Sequence, residues 1–350
     1  MPTPPGRRAA LALLAAPALL RAVPASAQTS TAPAPASPAP ASPAPASPAP
    51  ASPATASPAP LNQAPGFFRT RVGALTVTMI HDGSRPIPLQ GFVRNAPIEE
   101  VQRVLAESYL PTDSFRIPFT LTCVETPRGI VLFDSGNGAQ APGSPVGLAT
   151  ANMRAAGIDP ARINTVVISH FHGDHISGLT TADGAAVFPN AEIIVPEAEW
   201  RFWTDASNEA RSPEGQRANF ANTTRRFAPY QGKVRQVADG AEIVPGIRAV
   251  AAYGHTPGHT AWHVSDGADQ MMYLADVTNR PELFARRPGF HAVFDFDANA
   301  AEATRRRTFD RVATDRIRVT GYHFPFPATG FVAKDGDGYR FVPADWAAAT

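Results

Sequence analysis

The stretch Ser169-His-Phe-His-Gly-Asp-His175 places three histidines and one aspartate within seven residues, in a chain of 350 residues that has only nine histidines. Crowding polar rings together costs side-chain entropy and desolvation, so a surface loop has no packing reason to collect them. The run INTVVIS (163–169) reads as a short buried strand that delivers the chain straight into His170. His170 and His172 alternate off the end of that strand, so both rings can point the same way. Gly173 permits a tight turn at close quarters, after which Asp174 and His175 face a neighbouring position. Imidazole nitrogen and carboxylate oxygen suit zinc first, and also iron, manganese or cobalt. Three such side chains complete one catalytic centre and leave a place for water, so four at this spacing point to two divalent metal ions.

Working outward, ALTVTMI (74–80), FTLTCVET (119–126) and GIVLFD (129–134) read as antiparallel hairpin material. A helical stretch from Val146 to Ala156 is expected to end at Gly157 in the left-handed conformation. EIIVP (192–196) is a strand, and residues 197–230 are polar and helical with scattered aromatics. GIRAVAAYG (246–254), TAWHVSDG (260–267), QMMYLAD (270–276), RIRVTGYH (316–323) and GYRFVP (338–343) are further strands. Asp297 is placed to cap a helix running from Asn299 to Ala313. The pattern predicts an α/β protein with two sheets face to face and helices on the outer faces. The polar groups of interest all lie where strands end.

The front of the chain is different. Arg7 and Arg8 precede an apolar run from Ala9 to Leu20, and Ala25-Ser26-Ala27 follows. That is the pattern of an export signal, predicting a leader over 1–27 and a periplasmic or secreted product. Residues 28–62 repeat APASPAP and should form an extended, solvated spacer. One folded domain is expected over 63–350.

Charge and cysteine narrow the function. The formal net charge is +1, from 31 basic and 30 acidic residues, which does not favour nucleic acid. The single Cys123 lies in the apolar stretch FTLTCVE and reads as a buried strand thiol rather than a nucleophile.

HFHGDH, with the later histidine-rich turn GHTPGH (254–259), Asp276 at the end of MMYLAD and His323 in GYHFPFP, resembles the HxHxDH signature set of the metallo-β-lactamase superfamily. Within it, the stretch from APGFFR to GYRFVP is most similar to methyl parathion hydrolase and N-acyl-homoserine-lactonase-like members. The resemblance implies an αββα four-layer sandwich and a dinuclear hydrolase that uses a bridging hydroxide. It assigns His170, His172 and His259 to one metal, and Asp174, His175 and His323 to the other. Asp276 bridges the two, and Asp174 or Asp276 steers a proton to the leaving group. Asp134 then supports a ligand imidazole. His255 is read as a residue that orients the loop, His263 as a satisfied strand residue, and His81 and His291 as unconnected with metal.

The substrate is expected to be a small molecule, uncharged and apolar or aromatic, cleaved at an ester, lactone or phosphotriester bond. Trp203 and Phe220 match pocket aromatics of the organophosphate hydrolase, whereas a third such aromatic falls near Ala141. The lactonase tyrosine three residues after the bridging aspartate is Asn279 here. A glyoxalase-II-like thioesterase and a catalytically silent metal-binding scaffold are the alternatives. A homodimer is compatible with the sequence.

Overall fold

The structure, a computed structural model, describes residues 64–212 and 214–346, which lie within the compact unit Leu61–Thr350. The expected leader, and all of the expected spacer over 28–62, lie outside the described residues.

Two seven-stranded sheets form the centre. The first takes β1 (Phe67–Val72), β2 (Leu75–Pro88), β3 (Ser114–Thr126), β4 (Gly129–Phe133), β5 (Ile163–Val167), β6 (Glu192–Pro196) and β7 (Val234–Val237), in chain order. Its first three junctions are antiparallel, and β4 through β7 run parallel. The second sheet takes β8 (Glu242–Val244), β9 (Ile247–Ala251), β10 (Thr260–Asp266), β11 (Asp269–Tyr273), β12 (Arg318–Thr320), β13 (Thr329–Asp335) and β14 (Gly338–Pro343). It is antiparallel except between β11 and β12. Parallel neighbours need crossovers. These carry α2 (Ala149–Ala155), α3 (Gly173–Ile176), the trio α4 (Glu197–Thr204), α5 (Ala206–Arg211) and α6 (Glu214–Phe227), then α7 (Pro281–Phe284) and α8 (Ala298–Thr314). The remaining helix, α1 (Ile98–Ala106), lies between β2 and β3.

Side-chain alternation separates the layers. Met271 and Tyr273 point into the core shared by both sheets, with Val77, Leu121, Val166 and Ile193. Met272 and Leu274 point the other way, into a second core under Phe309 and Val312 of α8. This is the sandwich with outer helices that the strand pattern predicts. The two sheets are also stitched together by a buried hydrogen bond between the Thr122 and Thr320 hydroxyls, 3.2 Å long.

The capping expectations agree with the backbone. Asp297 accepts from the Ala300 amide at 3.0 Å, and Gly157 follows α2 with φ +77°. Sequence reading missed α1, α3, α7, β1, β7, β8 and β13, and set the ends of several strands too far on. The strand expected over 270–276 stops at Tyr273, and the one expected over 316–323 spans only Arg318–Thr320. The residues after each stop belong to loops, which frees their side chains from the pleat. Among the described residues no helix is long and apolar enough to cross a membrane.

Candidate metal centre

Loops leaving β4, β5, β9, β11 and β12 converge at one end of the sandwich. β5 stops at Val167, and His172 is the residue that opens α3. Asp134 follows β4 with φ +60°, and Ala275 follows β11 with φ +47°. A positive φ is costly for a residue with a side chain, although aspartate tolerates it better than most. At Asp134 the turn aims the carboxylate back under the histidine cluster.

That carboxylate accepts four hydrogen bonds. Its donors are the Ser169 amide (2.7 Å), the Ser169 hydroxyl (2.8 Å), His175 Nδ1 (2.7 Å) and the Tyr273 hydroxyl (2.5 Å). Because His175 gives its Nδ1 proton to Asp134, its Nε2 presents a lone pair. His323 Nδ1 likewise donates to the Pro118 carbonyl at 2.9 Å, and His255 Nδ1 donates to Asp295 Oδ1 at 2.8 Å. Their Nε2 atoms therefore turn lone pairs inward as well.

Those lone pairs face oxygens and each other. His172 Nδ1 lies 3.1 Å from His170 Nε2 and 3.0 Å from His255 Nε2. His175 Nε2 lies 3.3 Å from Asp276 Oδ1 and 3.5 Å from Asp174 Oδ2. His323 Nε2 lies 3.1 Å from Asp276 Oδ2 and 3.5 Å from Asp174 Oδ2. Asp276 Oδ2 is also 3.3 Å from His255 Nε2. The Asp276 carboxylate thus sits between two groups: His170, His172 and His255 on one side, and Asp174, His175 and His323 on the other. His175 Nε2 and Asp276 Oδ1 are buried with no hydrogen-bond partner. Each such atom costs about 1–3 kcal/mol. Lone pairs aimed at carboxylates in a buried space are a donor set suited to cations.

Electrostatics agree. Burial holds His170 well below the usual imidazole range. Burial, then the neighbouring His255, lowers His172 to about 3. Burial would raise Asp276 and Asp174, but the imidazoles of His323 and His175 outweigh it and hold both carboxyls down. Against burial, Asp174, Asp276 and Asp134 push His175 well above the usual imidazole range, and Asp295 with Asp276 raises His255, so the centre sets ionised carboxylates against those rings while His170 and His172 stay neutral.

His259, expected as a ligand, has both ring nitrogens within hydrogen-bond reach of backbone groups. Its Nδ1 donates to the Ala252 carbonyl at 3.1 Å, and its Nε2 accepts from the Asp276 amide at 3.0 Å. His255 is the histidine of GHTPGH whose ring nitrogen groups with those of His170 and His172. His263 pairs with Gln270 at 2.8 Å and His291 with Glu302 at 3.0 Å, so neither belongs to the centre.

Trp203 and Phe220, expected in the substrate pocket, pack against each other. Both are buried, at 1% and 4% exposure, with ring centroids 4.7 Å apart, and neither lines the cavity beside the centre. Trp203 backs His172 at a centroid distance of 6.3 Å. It also donates Nε1 to Glu199 at 2.5 Å. Both belong to the core under the histidine loops. Ala141 lies outside that cavity too.

The cavity holds about 220 Å³. Ile87, Ile117, Phe119 and Phe294 supply its apolar surface, and Arg85, Gln216, Asn219 and Asn279 its polar surface. Asp174, Asp276, His172, His255 and His323 form its floor.

Two supporting residues escaped sequence reading. Glu199 resembles an ordinary first-turn helix acid. It is fully buried and accepts from the Phe171 amide (2.9 Å), the Thr256 hydroxyl (2.8 Å) and the Gly258 amide (2.8 Å) besides Trp203. It thereby ties the two histidine loops together. Asp295 holds His255 and faces Arg305 at 3.5 Å. Nothing in its local sequence signals that contact, because its partner is 40 positions away.

Comparison with known proteins places this architecture. The family model described as the metallo-beta-lactamase superfamily matches residues 122–317. The chain belongs to that superfamily. It is similar to the N-acyl homoserine lactonase AttM of Azorhizobium caulinodans, 28% identical over 175 residues, which is 43% of this chain and 60% of that protein. It is also similar to the uncharacterized protein YobT of Bacillus subtilis (strain 168), 26% identical over 161 residues, 46% of this chain and 62% of that protein. The chain thus spans about three fifths of the length of these curated relatives. Among solved structures it is similar to the hydrolase AbOPH in the beta lactamase superfamily (TM-score 0.76, 25% identity, 82% of this chain and 100% of that one). It shares its fold with AidC, a dizinc quorum-quenching lactonase solved with a homoserine product (TM-score 0.76, 24% identity, 81% of this chain and 98% of that one).

Proposed function

We propose that this protein is a dinuclear metal-dependent hydrolase of small esters and lactones, with phosphotriesters as weaker substrates. The observation that carries the reading is the position of Asp276, whose two carboxylate oxygens face histidine nitrogens of both groups. His170, His172 and His255 would hold one cation, Asp174, His175 and His323 the other, and Asp276 both. Nitrogen and oxygen donors without sulfur suit zinc, and accept manganese, iron or cobalt. Metal ions held there would supply a water of lowered pKa and a Lewis acid for the oxygen of the bond to be cleaved.

The chain's own residues do the rest. Ile87, Ile117, Phe119 and Phe294 take up the apolar body of the substrate and exclude water from it. Asn279 lines the cavity, and with its Oδ1 accepting from the Arg280 amide at 2.9 Å its NH₂ group remains to donate to a substrate oxygen. Asp174 lines the cavity with its side chain 20% exposed, so it is the carboxylate able to pass a proton to the departing oxygen. The lactonase name of the Azorhizobium relative and the hydrolase name of AbOPH support this class of reaction.

The test is a substrate panel of aryl esters, γ- and δ-lactones, acyl-homoserine lactones, a thioester, methyl paraoxon and a cephalosporin. It is run on zinc-loaded and chelated protein with metal analysis. Chelator-sensitive turnover of esters or lactones with about two metals per chain is expected. Full activity at one metal per chain, or no turnover across the panel, would overturn the reading. Export to the periplasm or beyond is part of the same proposal. N-terminal sequencing of protein from the cell envelope should find Gln28 first, and an intact Met1 there would reject it.

A further inference from the structure

Arg85 lies on the cavity wall beside the centre and has no carboxylate partner among the described residues. Its guanidinium carbon sits 5.4 Å from the Phe119 ring centroid, and Phe119 in turn meets His323 edge-on at 5.3 Å. Strand pairing explains the arrangement. Arg85 of β2 is directly opposite Ile117 of β3, and Ile87 and Phe119 are the next residues on the same face. Stacking over an aromatic face holds the planar fork in place and limits the entropy lost when it binds. The two carboxylates that share the cavity, Asp174 and Asp276, are both engaged by imidazoles of the centre. Arg85 is the one lysine or arginine in the wall among the described residues, and it faces the substrate space with no carboxylate paired to it.

We propose that Arg85 forms an anion subsite, so that the preferred substrates are esters or lactones carrying a carboxylate at the end remote from the bond cleaved. The proposal rests on the hydrolase reading above and specifies its substrate class. It replaces the expected uncharged substrate with one that is apolar in the middle and anionic at one end. The two contacts through Phe119 place the guanidinium within about 11 Å of the His323 ring. At roughly 1.2 Å per bond of extended chain, about three to five carbons between the carbonyl and the carboxylate suit that gap. Guanidinium matches carboxylate in a two-point fork, whereas a neutral ester end offers it no charge. In the reaction the acyl carbon–oxygen bond breaks and water supplies the new one. An ester gives the dicarboxylate and a free alcohol or phenol, and a lactone gives one hydroxy-dicarboxylate; one proton of the water goes to the departing oxygen and the other to solvent as the new carboxyl ionises.

The test compares 4-nitrophenyl hydrogen adipate with 4-nitrophenyl hexanoate on the zinc-loaded wild type, Arg85→Met and Arg85→Lys. The wild type should prefer the adipate ester in kcat/KM, with the preference shrinking as salt rises. Arg85→Met should lower kcat/KM for that ester about 10- to 100-fold through KM, and change the hexanoate ester less than about threefold. Arg85→Lys should fall between. Calorimetry with the stable amide N-phenyladipamic acid gives a readout apart from turnover. Its binding should be lost in Arg85→Met at unchanged metal content, while hexananilide binding is unaltered. Equal effects on both esters, or undiminished amide binding by Arg85→Met, would overturn the subsite. Ester cleavage indifferent to Arg85 would sink the subsite and leave the hydrolase reading standing. Arg85-dependent amide binding without cleavage of either ester would do the reverse.

Discussion

His255 Nδ1 lies 2.8 Å from Asp295 Oδ1, and this hydrogen bond decides which histidine of the GHTPGH turn faces the metal space. With Nδ1 committed outward, Nε2 must look inward, at 3.0 Å from His172 and 3.3 Å from Asp276. His255→Ala should therefore reduce bound metal from about two to about one per chain and cut kcat/KM by about 100-fold or more. Asp295→Asn should act more mildly, lowering metal affinity about 10- to 100-fold, as loss of a ligand's supporting carboxylate does. Competitive titration with a chromophoric chelator measures both. Two tightly held metals in His255→Ala would refute the assignment.

His259→Ala should behave differently from His255→Ala. The ring is fully buried and bonded at both nitrogens to backbone. Its removal strands the Asp276 amide and the Ala252 carbonyl. About 2–3 kcal/mol of stability should be lost, with two metals still bound at saturating zinc. Urea unfolding and metal analysis on the same sample separate the two variants.

Asp134→Asn tests the support under His175. Asparagine tolerates the φ of +60° at this position, so the backbone should stay in place. The new NH₂ group would meet donors from Ser169, His175 and Tyr273, where the carboxylate now accepts all three. Metal affinity should fall about 10- to 100-fold with the fold retained by circular dichroism. Unchanged affinity would show that His175 does not need the carboxylate.

Phe220→Ala should cost about 3–5 kcal/mol of stability, the penalty for a large core truncation. Phe220 packs on Trp203 and Phe202, away from the cavity. KM for a small aryl ester should stay within about twofold. A several-fold rise in KM at unchanged stability would return Phe220 to the substrate wall.

Cys123 is fully buried in β3, and burial, followed by the Glu125 charge, pushes its thiol pKa well above the usual range. No thiolate forms at ordinary pH, and a thiol reagent should react only after denaturant unfolds the chain. Prompt labelling of the native protein would contradict the burial.

Much of the site was legible from local sequence. His170, His172, Asp174 and His175 share one loop because a strand ends just before them, and chemistry at that spacing speaks for itself. Asp276 and His323 announce themselves only through the family resemblance, since each is a single residue after an apolar strand. The sandwich was legible too, because period-two alternation in runs such as QMMYLAD records which faces are buried. Strand ends were less so, since hydrophobicity continues past Tyr273 into a loop that is itself buried.

What local sequence could not decide was which of two like residues takes a role, and which aromatics face a ligand. His255 and His259 are four positions apart in one turn, and only packing against Asp295 and Ala252 separates the ring that faces His172 from the ring bonded to backbone. Trp203 and Phe220 carry the same chemistry in a core as in a pocket wall, and their burial is set by helices docking beneath the histidine loops. Glu199 and Arg85 show the same limit in charged form. One carboxylate is enclosed by four donors, three of them from distant segments, and one cation is left facing a cavity by strand register. Sequence carried the donor atoms and the layers, because both are properties of residues and their spacing. Tertiary structure decided tautomers, enclosure and facing, because those depend on contacts between segments that sequence order does not bring together.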